Sequence, residues 1–448
     1  MKRINSAALI FLGLLLVQPV AAFAGESEDF LSAVHEGDYE TVATLLSQGA
    51  DLNARTEKGS TALIVAVAGK RHEIANLLLQ HGVEVNAKNR YDDTALILAA
   101  TLEDPYLVET LLDHGADIHA RNMFGWTPLA RAVRYGHLET VKLLVARGSD
   151  LEATVREGST PLMIAIGESH FAVALELIQH GADVNAQNGL GMIPLQLAVF
   201  TGRSDLLDLL IDRGAKTAIS NALGDSVMFV ATERGCAGCV QVLLQHGEDV
   251  GVQDDNGWTS LARAAKFGRT QVGNILLDHG ADIDAESHGG ATPLMIAAEK
   301  GHVEFVRMLI KRGADLHAKS KNGANALMSA AAGGSAEMVQ LLIDSGAEIN
   351  DTLRNGSTAL MVAAERGRMQ AVHVLLQAGA NIQIQSDNGW TPLMGAAAGG
   401  YEDIARLFLK KGVDVQAKSR NGWTALKIAS QFKRDEVVDL LTKAGAVE

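Results

Sequence analysis

Cysteine is almost missing: Cys236 and Cys239 are the only two in 448 residues, which excludes a disulfide framework. Long apolar runs are scarce too. The one that stands out, residues 7–17 behind Lys2 and Arg3, is 11 residues long and falls short of the ~20 needed to span a bilayer. Small residues close it at Ala22-Phe23-Ala24, the layout of a secretory signal peptide cut before Gly25. Residues 1–24 are therefore expected to be a signal peptide on an exported protein, periplasmic or, as the alternative, secreted. No integral membrane segment is expected after cleavage. Basic charge is also in deficit, with 39 Lys+Arg against 53 Asp+Glu and a net charge of −14. Phosphate repels such a chain, which argues against nucleic acid and anionic lipid as partners. Catalytic signatures are missing as well: there is no HExxH, no phosphate loop and no GxSxG. No enzyme activity and no cofactor are expected.

Aromatic residues make up just 4% of the chain, and its four tryptophans are Trp126, Trp258, Trp390 and Trp423. Their separations are 132, 132 and 33 residues, so all four fall at one phase of a 33-residue period. Counting phase 1 from Glu57, the register runs without insertion through eleven full repeats to a 29-residue one beginning at Arg420. Phase 26 is glycine in all twelve, from Gly82 to Gly445; phase 10 is alanine in all twelve, from Ala66 to Ala429. Phase 7 is leucine except at Met228.

Each repeat reads as two short helices and an extended turn. Thr-Pro-Leu at phases 5–7, as at 292–294, opens the first helix: threonine caps it and proline suits its first turn. The constant alanine marks close approach to a neighbouring helix. Glycine near phase 14, such as Gly136 or Gly301, ends the first helix. The second helix carries an apolar pair at phases 22 and 23, such as Leu78-Leu79, expected to face the core. Glycine at phase 26 supplies a left-handed cap.

Residues 290–315 follow the pattern GxTPLxxAAxxGHxExVxxLLxxGAD almost intact, and this resembles the ankyrin repeat over essentially the whole of 25–448. The resemblance implies an all-α repeat solenoid of about thirteen repeats in one curved array. Residues 25–56 fit an N-terminal capping repeat, 57–419 the eleven full ones, and 420–448 a polar C-terminal cap. It also implies a monomer without enzyme activity that grips a protein partner. The inner surface of the array would be lined by phases 1, 2 and 4 of the turn and 12 and 13 of the first helix.

At or beside those phases stand Tyr91, Leu102, Met123, Phe124, Trp126, Tyr135, Leu190, Met192, Phe200, Leu223, Trp258 and Phe267. Exposed apolar side chains gathered on one face call for a covering partner, so a contact surface is expected over about residues 90–270. Arg131, Arg134, Arg263 and Lys266 are its polar companions. Over twelve repeats these five phases carry 11 basic and 10 acidic residues, a near balance that suits a polypeptide better than a polyanion.

Other constellations carry less. His81, His114, His180, His246 and His279 share phase 25, but a ladder at the ~8–10 Å helix spacing cannot share an ion held at ~2 Å, so no metal is expected. Gly224-Asp225-Ser226 is the local form of the turn and cap rather than a hydrolase block. Cys236 and Cys239, flanked in adjacent repeats by Arg203 and Arg269, form a possible thiol pair. Two alternatives to the binding protein follow: a secreted effector acting on a host protein, and an envelope redox or stress accessory protein using these cysteines.

Overall fold

A computed structural model describes residues 25–155, 157–217 and 226–447. The expected signal peptide, Leu223, Gly224 and Asp225 lie outside the described residues. Among the described residues, twenty-six α-helices run from α1 (Glu26–Glu36) to α26 (Asp435–Lys443), two per repeat. Extended structure among the described residues is confined to three antiparallel bridges across turns, Arg55–Thr61, Gln253–Thr259 and Thr352–Thr358. The result is an all-α repeat solenoid. It falls into two compact units, one ending at Pro194 and one beginning at Leu195.

Local chemistry starts most first helices as the sequence suggests. Thr127 Oγ1 accepts the Ala130 N–H at 3.1 Å to open α7 (Pro128–Tyr135). Thr61, Thr160, Thr292, Thr391 and Thr424 act alike in their repeats. Where threonine is replaced, Ser226 and Asn325 cap with their own oxygens, because any short side-chain acceptor serves the orphan N–H groups of the first turn. Ser226 is thus engaged as a cap.

Second helices are joined backwards to the repeat before. His137, His170 and His302 at phase 15 direct Nε2 to the carbonyls of Thr101, Arg134 and Lys266 at 3.0–3.1 Å. Arg269, Arg368 and Arg434 do the same with Nε toward Glu233, Ala332 and Ala398. Each bond spans 36 residues and satisfies a carbonyl at the end of the preceding first helix.

The twelve phase-10 alanines are all 0% exposed, and so is every phase-22 side chain from Leu78 to Leu441. Phase 23 departs from expectation. Leu79 and Ile178 are buried there, but most of its other occupants, Leu277 among them, lie half-buried at the rim. Adjacent residues on a helix point about 100° apart, so both cannot face the same interior.

All twelve phase-26 glycines have φ between +75° and +101°, yet a Cβ added to any of them meets nothing within 4 Å. The left-handed backbone, rather than lack of room, demands glycine here. Among the described residues, four that are not glycine share that region: Lys70, Ser169 and Lys433 at phase 14, and Asp92 at phase 3. These phases are glycine in most repeats. Ser169→Gly should therefore raise the unfolding free energy by about 0.5–1 kcal/mol, the left-handed strain relieved less the added chain entropy. Chemical denaturation would check it.

Candidate interaction surface

In the N-terminal unit the turn at 122–126 is held by one buried side chain. Asn122, 6% exposed, accepts the Phe124 and Trp126 N–H groups on Oδ1 at 3.0 and 2.9 Å. Its Nδ2 donates to Asp93 Oδ1 at 2.7 Å, itself buried. Met123 N–H donates to Tyr91 O at 3.1 Å, tying this tip to the preceding one. A tip anchored at both ends fixes where Trp126 points.

Trp126 is half-buried rather than fully presented. The guanidinium carbons of Arg131 and Arg134 lie 5.1 and 5.4 Å from its ring centroid, within cation–π range. Arg134 also pairs with Glu168 at 3.1 Å. Tyr135 is exposed and stacks on His137 with centroids 5.9 Å apart. Met123 and Leu190 are exposed, at 53% and 66%, whereas Tyr91, Phe124 and Met192 are half-buried.

The C-terminal unit repeats the motif with different residues. Lys266 Nζ stands 5.2 Å from the Trp258 ring and 5.3 Å from Phe267. Phe200, exposed, lies under Arg234 at 4.1 Å. Trp423 has Lys427 at 5.8 Å. Trp390 has Met394, Gly395 and Ala398 at the phases where other tryptophans find their cations.

Arg263 belongs to the framework. Its side chain, 14% exposed, pairs with Glu233 at 2.6 Å and Asp254 at 2.8 Å and covers the buried Phe229 ring at 4.2 Å. Asp254 Oδ1 in turn accepts the N–H groups of Asn256 and Trp258 at 2.8 and 2.9 Å. Burial pushes the Asp254 carboxyl up, but hydrogen bonds from Trp258, Arg263 and Asn256 outweigh it and hold it below the usual carboxylate range. Arg263 was expected as a surface contact; two carboxylates and an aromatic ring occupy it instead.

Sequence reasoning missed Asn122 and Asp254, which set the tips. The signal was available: both immediately precede phase 1, where a short polar side chain can reach the N–H groups of the turn. It also missed a recess of about 370 Å³ in the C-terminal unit, lined by Gly289, Ala291, Glu299, Lys321, Asn322 and Ser329. Small tips open this space at the same phases that carry rings elsewhere.

Cys236 and Cys239 are joined as a disulfide. Cys236 caps α14 (Ala237–Gln245), and Cys239 is fully buried. Cys236 holds phase 15, where several other repeats place the histidine or arginine that reaches back to the preceding helix.

A family model described as ankyrin repeats (3 copies) matches residues 30–122, 104–188, 177–254, 195–287, 228–320, 294–386 and 360–447. The chain belongs to the ankyrin-repeat family. Its repeats are of a kind that generally mediates protein–protein interaction. No curated protein matches the chain. No helix among the described residues is long and apolar enough to cross a membrane.

Proposed function

We propose that this is an exported, non-enzymatic binding protein, acting as a monomer, that holds a polypeptide against its turn tips and first helices. The observation that carries this reading is the pairing of half-buried indoles with cations at one repeat phase: Trp126 with Arg131 and Arg134, and Trp258 with Lys266. A ring so placed offers broad apolar contact at small entropic cost, and its cation offers a partner for a carboxylate. A polypeptide segment mixing apolar and acidic side chains fits both. Export, to the periplasm first and the exterior second, is supported by the leader-like residues 1–24 and by a disulfide suited to an oxidising compartment.

The test is affinity capture from the envelope fraction with wild type beside a Trp126→Ala, Tyr135→Ala, Trp258→Ala variant. All three side chains reach the surface, so the variant should melt within a few degrees of wild type. It should nevertheless fail to retain the partner that wild type retains. Equal retention would remove these residues from the binding surface.

A further inference from the structure

One of the five phase-25 histidines behaves differently from the rest. His81, His114, His180 and His279 turn Nδ1 to the carbonyl four residues back in their own helices, at 2.8–2.9 Å. His246, at the end of α14, instead directs Nε2 to Asp208 Oδ1, 2.7 Å away on α12 (Ser204–Asp212). Asp208 and Asp212 lie one helical turn apart and so share a face. One donor atom from each of Asp208, Asp212 and His246 falls within 4.8 Å of the others, and all three residues are exposed.

The same three phases hold a cation elsewhere in the molecule. Arg147 sits between Glu109 and Asp113 at 3.0 and 2.8 Å. Arg312 sits between Asn274 and Asp278 at 2.9 and 2.7 Å. The repeat geometry thus brings one group from a following repeat between two oxygen donors of the preceding second helix. Only with His246 are both donors carboxylates while the third group is an imidazole, which lends a lone pair where arginine lends a fixed charge.

We infer that Asp208, Asp212 and His246 form a binding site for a divalent transition-metal ion, with zinc as its natural probe. One imidazole nitrogen and two carboxylate oxygens suit zinc and its neighbours, whereas magnesium and calcium prefer oxygen alone. Solvent completes the coordination, since the three residues face water. The ion replaces the guanidinium of the sister sites and clasps two adjacent second helices, on the helical layer that does not carry the aromatic tips.

Zinc chloride titrated into the full chain by calorimetry tests the assignment. His246→Arg recreates the Arg147 arrangement, so it should melt as wild type does in metal-free buffer. It should bind zinc at least ~10-fold more weakly, no less than outer-shell changes alone cost a metal site. Asp212→Asn should weaken binding in the same direction, and His279→Arg should leave it unchanged. Zinc should raise the Tm of wild type and of His279→Arg alone, because only a folded site binds it. Zinc binding of wild-type strength in His246→Arg, equal loss in His279→Arg, or no saturable binding by wild type would each overturn the site.

Discussion

Replacing Ala264 with leucine should lower the unfolding free energy by about 1–3 kcal/mol, the cost of forcing added methylenes into a filled interior. Ala264 lies at the middle of α15 (Ser260–Phe267) and is 0% exposed. Its counterparts in the adjacent repeats, Ala231 and Ala297, are equally buried. All three occupy one layer of first helices, so neither side offers a flexible surface chain that could move aside. Packing at crystal-like density leaves only backbone shifts or off-rotamer side chains to absorb the leucine. Lys266→Leu, two residues on and exposed, controls for hydrophobicity and should change stability by no more than about 0.5 kcal/mol. Because a repeat array unfolds through nearest-neighbour terms, amide exchange should place the damage in the repeats around 231–297. An unchanged denaturation curve for Ala264→Leu would show the helix phases to be misassigned.

Arg263→Ala should be at least as damaging, by about 2–3 kcal/mol, although it removes a residue that a surface reading would treat as a contact. The substitution strips the guanidinium from Glu233 and Asp254, whose side chains are 27% and 16% exposed. It also uncovers Phe229. A carboxylate left out of water without its counter-ion costs more than the pair itself contributes; the partial exposure of this pair places the figure below that of a fully buried one. The acid response follows from Asp254. A carboxyl held below its usual value contributes stability above the unfolded-state range near ~4, and loses it as pH falls through the lowered folded value. Arg263→Ala removes one of the groups that lowers it, so the folded and unfolded values draw together. The variant should lose less stability on acidification, and its deficit against wild type should narrow as pH falls below ~4. Thermal melts between neutral pH and pH ~3 would read both effects, and indifference to the substitution would contradict the framework role.

The parts of this fold that sequence reveals are those with a single chemical solution. A left-handed backbone admits glycine cheaply, so phase 26 is glycine throughout; a close helix approach admits alanine, so phase 10 is alanine throughout. The period, the caps and the core leucines follow from these. Less legible are tasks that several side chains perform. Histidine and arginine both reach back 36 residues from phase 15, so neither shows as a pattern by letter alone. The tip anchor is Asn122 in one repeat and Asp254 in another. Phase 23 looked like core because it is apolar, and only the helical angle places it at the rim. Arg131 and Arg263 hold the same phase in repeats with similar letters. Yet one lies over the Trp126 ring while the other is locked between carboxylates, a difference set by Asp254 and Glu233. His246 was grouped with four histidines of the same phase and is distinguished only by Asp208 and Asp212 on the preceding second helix.

The claim on which the functional account rests is that a polypeptide lies over the paired indoles and cations. Its most direct measurement is the equilibrium affinity of the captured partner for three proteins: wild type, the Trp126, Tyr135 and Trp258 triple alanine variant, and Tyr106→Ala. Tyr106 is 52% exposed and belongs to a second helix, α6 (Pro105–Asp113), with its hydroxyl accepting from Asn76 at 2.9 Å. Loss of interface anchors worth about 2 kcal/mol or more apiece predicts that the triple variant binds on the order of 100-fold or more weakly, with Tyr106→Ala close to wild type. Equal affinity of the triple variant and wild type, or a loss confined to Tyr106→Ala, would contradict it.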